Sequence, residues 1–271
     1  MEYHDFVEVV VDLLKKAQTE LPEDVVEAIK IAYEQEENEI ARKNFEIILK
    51  NVEVAKKKKI PICQDTGILA FFLEIGRELC LDFDIKKAII DGVKKATKEV
   101  PLRPNAVHPI TRENSNDNTG LFIPYIDLDL VEGDRIKISV LPKGAGSENV
   151  SVLKMMLPSD AKKIKSFIVE TVALAGGKPC PPIFVGVGVG GTFDLAAKLA
   201  KKALLRNVLK MDEFEKEVLE AINSLEIGPM GMGGKFTALS VLINYAHCHT
   251  ASLPVAVNIQ CWANRRAEVI L

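Results

Sequence analysis

Five cysteines, Cys63, Cys80, Cys180, Cys248 and Cys261, give this chain its widest choice of chemistry, because a thiolate can hold metal, act as a nucleophile or close a disulfide. No two stand at Cys-x-x-Cys spacing, so neither a zinc ribbon nor a thioredoxin motif is signalled. Their settings differ. Cys63 lies in Pro61-Ile62-Cys63-Gln64-Asp65-Thr66-Gly67, a turn by composition that sets a thiol, an amide, a carboxylate and a hydroxyl side by side. Cys180 lies in Gly176-Gly177-Lys178-Pro179-Cys180-Pro181-Pro182, where flanking prolines predict a rigid, extended backbone. Cys261 follows a strand-like run and precedes Trp262-Ala263-Asn264-Arg265-Arg266. Cys80, between Leu79 and Leu81, and Cys248, between two histidines, read as ordinary buried or strand cysteines. Spacing alone leaves open whether the three loop cysteines form a set or are unrelated small hydrophobes.

His247-Cys248-His249 would put two imidazoles on one face if extended, as a zinc site on a strand requires, yet only His4 and His108 remain as further histidines. A single functional histidine fits better. Gly186, Gly188 and Gly191 match G-x-G-x-x-G between a strand-like and a helical segment, but the helix runs into a second helical stretch instead of a parallel strand ending near an acidic residue. This favours a glycine turn that lets two elements pack closely over a dinucleotide site. Gly228-Pro229-Met230-Gly231-Met232-Gly233-Gly234-Lys235 misses the P-loop spacing by one residue, and Phe236 stands where a Ser or Thr would reach magnesium. A loop lining a site remains open for it.

The elements that must carry these residues follow from periodicity. Three amphipathic helices account for residues 1–58: Phe6, Val9, Val10, Leu13, Leu14 and Ala17 form one stripe, with Asp5 and Glu8 as a capping box. Val25, Ala28, Ile29, Ala32 and Tyr33, after Pro22, form a second, and Ala41, Phe45, Ile48 and Val52 a third. Lys56 to Lys59 sit at the third helix's negative end. From residue 59 to 271, strand-like runs at Ile68–Ile75, Arg135–Leu141, Pro182–Val187, Thr237–Leu242 and Leu253–Ile259 interleave with helices at Asp84–Glu99, Ser159–Ala173, Phe193–Leu209 and Asp212–Leu225. The pattern predicts a mixed α/β (α+β) fold in a single domain, with functional groups on loops. Pro101 to Gly120, crowded with Pro, Asn, Asp, Ser and Thr, is long enough to be read as a functional loop.

Thirty-five Lys plus Arg against 38 Asp plus Glu leave a charge of −3, and apart from the run Lys56 to Lys59 the basic residues are spread along the chain, which argues against nucleic acid. The longest apolar run, Ile68 to Leu73, is too short for a membrane span, and Met1 to Asp5 lack a secretory start, so a cytoplasmic protein without disulfides is expected.

Pro-Ile-Cys-Gln-Asp-Thr-Gly at 61–67, Leu102-Arg103, Lys-Gly-Ala-Gly-Ser at 143–147, Cys-Pro-Pro at 180–182, Gly-Gly-Thr at 190–192 and His249 ahead of Cys261 together resemble the class I, iron-sulfur fumarate hydratases and their L(+)-tartrate dehydratase relatives, in order from about residue 10 onward. The resemblance implies that Cys63, Cys180 and Cys261 hold a [4Fe-4S] cluster with one iron open to substrate. It implies substrate contacts at Gln64, Arg103 and Gly146, and proton transfer or orientation by Asp65 and His249. The reaction implied is hydration of fumarate to (S)-malate, with dehydration of L(+)-tartrate to oxaloacetate as the alternative and a cluster- or zinc-binding module, or a nucleotide-binding protein, as readings outside enzymology of this kind. Because the sequence ends ten residues after Cys261, it resembles the α subunit of a two-chain form, in which a β subunit completes the site, two α with two β. Ala145 within the glycine run and Asn114 to Asn118 depart from the family pattern, and both bear on substrate preference.

Overall fold

The computed structural model describes residues 2–100 and 102–271; Met1, and Pro101 at the head of the polar segment, lie outside them. The elements run α1 (Tyr3–Thr19), α2 (Glu23–Gln35), α3 (Glu39–Lys58), β1 (Ile68–Gly76), α4 (Ile85–Glu99), β2 (Tyr125–Val131), β3 (Ile136–Lys143), α5 (Ala145–Glu148) and β4 (Val152–Met156). There follow α6 (Ile164–Ala175), β5 (Ile183–Val189), α7 (Phe193–Ala203), α8 (Glu213–Asn223), β6 (Ala238–Tyr245), β7 (Leu253–Gln260) and β8 (Ala267–Ile270). The mixed α/β reading is borne out. Two compact units are formed, one from Met1–Pro22, Asn51–Ala145 and Arg265–Leu271, the other from Glu23–Lys50 and Gly146–Asn264.

In the first unit the strand order is β2-β1-β3-β8, with β1 parallel to β2 and antiparallel to β3. Alternate residues Leu69, Phe71, Leu73, Ile136, Ile138 and Val140 face one way and are buried with the stripes of α1 and α4. The helix α1 starts earlier than its expected capping box. Glu2 is the N-cap, without a side-chain cap bond, and Asp5 lies inside the first turn, where its charge meets the positive end of the helix. At the other end of α3, Lys56 and Lys59 each pair with Glu20, at 3.3 Å. Burial raises the Glu20 carboxyl, but hydrogen bonds and charge from the two lysines outweigh it and hold the group below its ordinary range. Strands β2 and β8 escaped the periodicity reading because both are edges, one carrying two aspartates and the other only four residues long.

In the second unit the order is β4-β7-β5-β6, with β5 parallel to β6 and antiparallel to β7. The parallel strand thought missing after the glycine turn is therefore present as β6, reached through α7 and α8. It ends at Tyr245 and is followed by Ala246-His247, with no acidic residue there for a ribose. Close packing is what the glycines provide: a Cβ on Gly186 would sit 2.2 Å from the Ala200 carbonyl oxygen, and on Gly188 2.0 Å from that of Ala196. The helix α7 stops at Ala203, short of the expected Leu209, because the next turn is spent on other partners. The Arg206 guanidinium donates to Glu215 and to the Ile243 carbonyl, and the Val208 amide donates to Asp24. A capping box of Asp212 and Glu215 opens α8.

Replacing Gly188 by Ala forces β5 and α7 apart. A loss of about 1–3 kcal/mol or more is expected from the overpacking, read as a lower urea midpoint by circular dichroism; an unchanged midpoint would contradict this packing.

Candidate functional site

The Cys63 turn in the first unit is built by side chains from well outside it. The Asp65 amide donates to the Cys63 Sγ at 3.4 Å, and the Asp65 carboxylate accepts three hydrogen bonds, from Gly67 N (2.9 Å) and Asn105 Nδ2 (2.8 Å) at Oδ1 and from Ala145 N (2.9 Å) at Oδ2. Gly67 has φ +76°, and a Cβ there would strike the Lys143 backbone at 2.6 Å, so the turn lies directly on the end of β3. Arg265, 1% exposed, donates from Nη1 to Gln18 Oε1 (2.6 Å) and from Nη2 to the Asp65 carbonyl (2.8 Å). Gln18 donates in turn to the Thr66 carbonyl, and its own carbonyl accepts from Ile62 N. Gln64 is exposed and Cys63 half-buried.

Asn105 belongs to the polar segment, which is ordered by its asparagines. The Asn118 side chain accepts from Asn105 N at 2.7 Å and donates to Thr97, while Asn114 donates to the Pro104 carbonyl. Asn116 and Asn118 have φ of +65° and +60°, which asparagine tolerates better than other side-chain-bearing residues. Arg103 in this segment is exposed, and its guanidinium makes no hydrogen bond or ion pair among the described residues.

The second unit holds Cys180 and Cys261. Cys180 is not extended: its φ is +53°, because its amide donates to the Gly177 carbonyl and its carbonyl accepts from Trp262 N, at 3.2 and 3.3 Å, which overrides the preference imposed by Pro181. That second bond ties its loop to the residue after Cys261. A Cβ on Gly146 would lie 3.4 Å from the Lys178 carbonyl, so Gly146 borders the same loop. Beneath it, Ser147 donates to the fully buried Gln260 and Asn258 to Glu148.

His249 sits past the end of β6 in an exposed turn, its Nδ1 accepting from Ala251 N at 3.1 Å. The segment 246–249 is not a strand, so the two-imidazole face has no backbone to support it. Cys80 and Cys248 are likewise exposed and in loops, against the buried or strand setting expected for them; neither Leu79 nor Leu81 continues β1 past the turn at Arg77. No disulfide forms, and no group of three His, Cys, Asp or Glu residues placed to hold a metal ion occurs among the described residues. No helix among them is long and apolar enough to cross a membrane.

The family model described as fumarate hydratase (Fumerase) matches residues 7–270. The chain belongs to the Fumerase family. Its relatives include a Methanocaldococcus jannaschii protein provisionally named L(+)-tartrate dehydratase subunit alpha, 54% identical over 271 residues, with 96% of this chain and 95% of the relative covered. L(+)-tartrate dehydratase subunit alpha of Escherichia coli O157:H7 is 31% identical over 97% of this chain and 90% of its own length, and that of Shigella sonnei 30% identical with the same coverage. Membership makes the chain a lyase of the hydro-lyase kind.

Against the Fumerase motifs, Gln18, Asn105 and Arg265 went unread as parts of the site. Only Asn105 carried a signal, its place in the asparagine-rich segment. Asp117 in that segment accepts from the Thr119 hydroxyl and amide. Burial pushes its carboxyl up, but these bonds outweigh it and hold the group below the ordinary range. A folded value below the unfolded one adds stability that is present above about pH 4 and lost as pH falls through the folded value. Asp117→Asn is therefore expected to lower thermal stability at pH 7 and to converge on the parent protein in acid; an equal deficit at every pH would contradict this.

Proposed function

We propose that this chain is the α subunit of an iron-sulfur hydro-lyase that adds water reversibly to fumarate, its three loop cysteines Cys63, Cys180 and Cys261 holding a [4Fe-4S] cluster. The observation that carries the reading is the setting of those thiols within a Fumerase-family chain: each lies on a loop fixed by hydrogen bonds at or beside the cysteine itself. The donor set suits a cluster. Thiolates hold cluster iron well. Three thiolates leave one iron without a protein ligand.

When bound, the cluster supplies a Lewis acid for a substrate carboxylate and hydroxyl. The remaining work falls to side chains. Arg103, exposed and with its fork uncommitted, binds a carboxylate through two parallel hydrogen bonds, and Gln64 and the Gly146 backbone add donors. Asp65 carries the proton at Oδ2. Its Oδ1 accepts from Gly67 N and Asn105 Nδ2, while Oδ2 accepts from Ala145 N and faces Gly144, which leaves no side chain against it, so Oδ2 is the oxygen with room for the proton. His249, whose Nδ1 is engaged by Ala251, orients substrate through Nε2. A β subunit supplies the rest of the pocket, as the name "subunit alpha" of the relatives supports, and the assembly is two α with two β in the cytoplasm.

A second reading, dehydration of L(+)-tartrate to oxaloacetate, is favoured by the printed names of the relatives. The two substrates are both four-carbon dicarboxylates that the same arginine can hold. Anaerobic co-expression with a β-type chain separates them: fumarate hydration supports the first reading, tartrate dehydration alone the second. Single Ser replacements of Cys63, Cys180 or Cys261 are expected to abolish iron and sulfide incorporation, and Cys80→Ser or Cys248→Ser to leave it intact. Equal loss at all five positions, or a colourless protein holding zinc, would overturn the reading.

A further inference from the structure

The glycine-rich segment Gly228–Gly234 matched no nucleotide motif and is used by nothing above, yet it touches the Cys180 loop along its backbone. Met230 N donates to the Pro181 carbonyl at 2.8 Å, one residue beyond the cysteine. Gly231 lies against Gly177: a Cβ on Gly231 would be 2.9 Å from the Gly177 Cα, and a Cβ on Gly177 3.2 Å from the Gly231 Cα. Two backbones meet at this distance only if both residues are glycine. Met230 and Gly231 hold φ of +58° and +74°, a run of left-handed backbone that something must maintain.

What maintains it is Glu36. This carboxylate, 3% exposed at the end of α2, accepts from the amides of Glu37 (3.1 Å), Asn38 (3.0 Å) and Lys235 (2.9 Å). A Cβ on Gly234 would stand 3.0 Å from its Oε2, so the glycine segment ends directly on the carboxylate. At its other end the Thr237 hydroxyl accepts from Ile227 and Gly228. The loop is thus pinned at both ends and pressed in the middle against Gly177 and Pro181.

We infer that Gly228–Gly234 is a clasp that sets the Cys180 thiol in its left-handed conformation, and that Glu36 is the positioning residue that locks the clasp. This deepens the proposed function and rests on Cys180 being a cluster ligand. Groups that hold a ligand in place typically change metal retention by roughly tenfold or more when removed.

The test uses the full chain, alone and with its β-type partner, and three variants. Glu36→Gln keeps the size but leaves only one acceptor oxygen for three amides; Gly231→Ala strikes Gly177. Gly233→Ala serves as the control, since Gly233 has a similar φ of +83° but nothing within 4 Å of its Cβ position. Circular dichroism first establishes that each folds. In the cluster-free protein, the rate of Cys180 alkylation relative to Cys80, read by mass spectrometry, is expected to change by roughly tenfold in Glu36→Gln and Gly231→Ala and to hold in Gly233→Ala. Iron and sulfide retention in the reconstituted complex should fall in the same two variants. Unchanged alkylation and retention in Glu36→Gln, or equal effects of Gly231→Ala and Gly233→Ala, would overturn the clasp. Failure of the parent protein to take up iron would instead overturn the proposed function, while alkylation still decides the clasp.

Discussion

A guanidinium that is 1% exposed must be given acceptors or it destabilises the fold that encloses it, and the geometry around Cys63 follows from how Arg265 is satisfied. Its Nε is buried without a partner among the described residues, so Nη1 and Nη2 carry the compensation, bonding to Gln18 and to the carbonyl of Asp65. Gln18 is buried on α1 and spends its amide on Thr66. The turn that presents Cys63 is held because one of its carbonyls, that of Asp65, accepts from the buried cation, and another, that of Thr66, accepts from the Gln18 amide that the cation also engages. Facing the other way, the Asp65 carboxylate gathers an amide from the turn, an asparagine from the polar segment and the amide that opens α5. One residue thereby fixes three loops through its side chain and a fourth partner through its main chain.

The second unit solves a similar problem by different means. Cys180 is held by backbone rather than by a buried charge: its carbonyl accepts from Trp262, its amide reaches Gly177, and the following proline's carbonyl accepts from Met230. A non-glycine residue at φ +53° is unfavourable by an amount that these bonds must offset, and such positions concentrate where function demands a fixed geometry. The proposed function makes the same demand: residues that were to hold a dicarboxylate would have to stay aimed at one place through the reaction, so their loops would be worth bracing.

The sheet-and-helix plan was legible because it rests on periodicity: Leu69, Phe71 and Leu73 alternate, and Phe6, Val10 and Leu14 recur at helical spacing. Edges were harder to read. Asp127 and Asp129 hide β2, since a strand with a single neighbour is free of the composition that burial imposes. Local turn chemistry was legible around Cys63 and misleading around Cys180, where proline predicts extension and long-range hydrogen bonds impose a left-handed residue. Glu36 and Lys235 are 199 positions apart, and neither carries a mark of the other. Partners at that distance are set by the fold, and no window of sequence contains them both.

The proposed function requires that three protein thiolates hold a cluster and leave one iron for substrate. Mössbauer spectroscopy of the anaerobic complex, grown on labelled iron and recorded with and without fumarate or L(+)-tartrate, tests it most directly. A single distinguishable iron site is expected, with parameters that shift on adding the dicarboxylate while the other irons hold theirs. A cluster whose irons are all equivalent and indifferent to both acids, or a complex without cluster iron that still turns over, would contradict it.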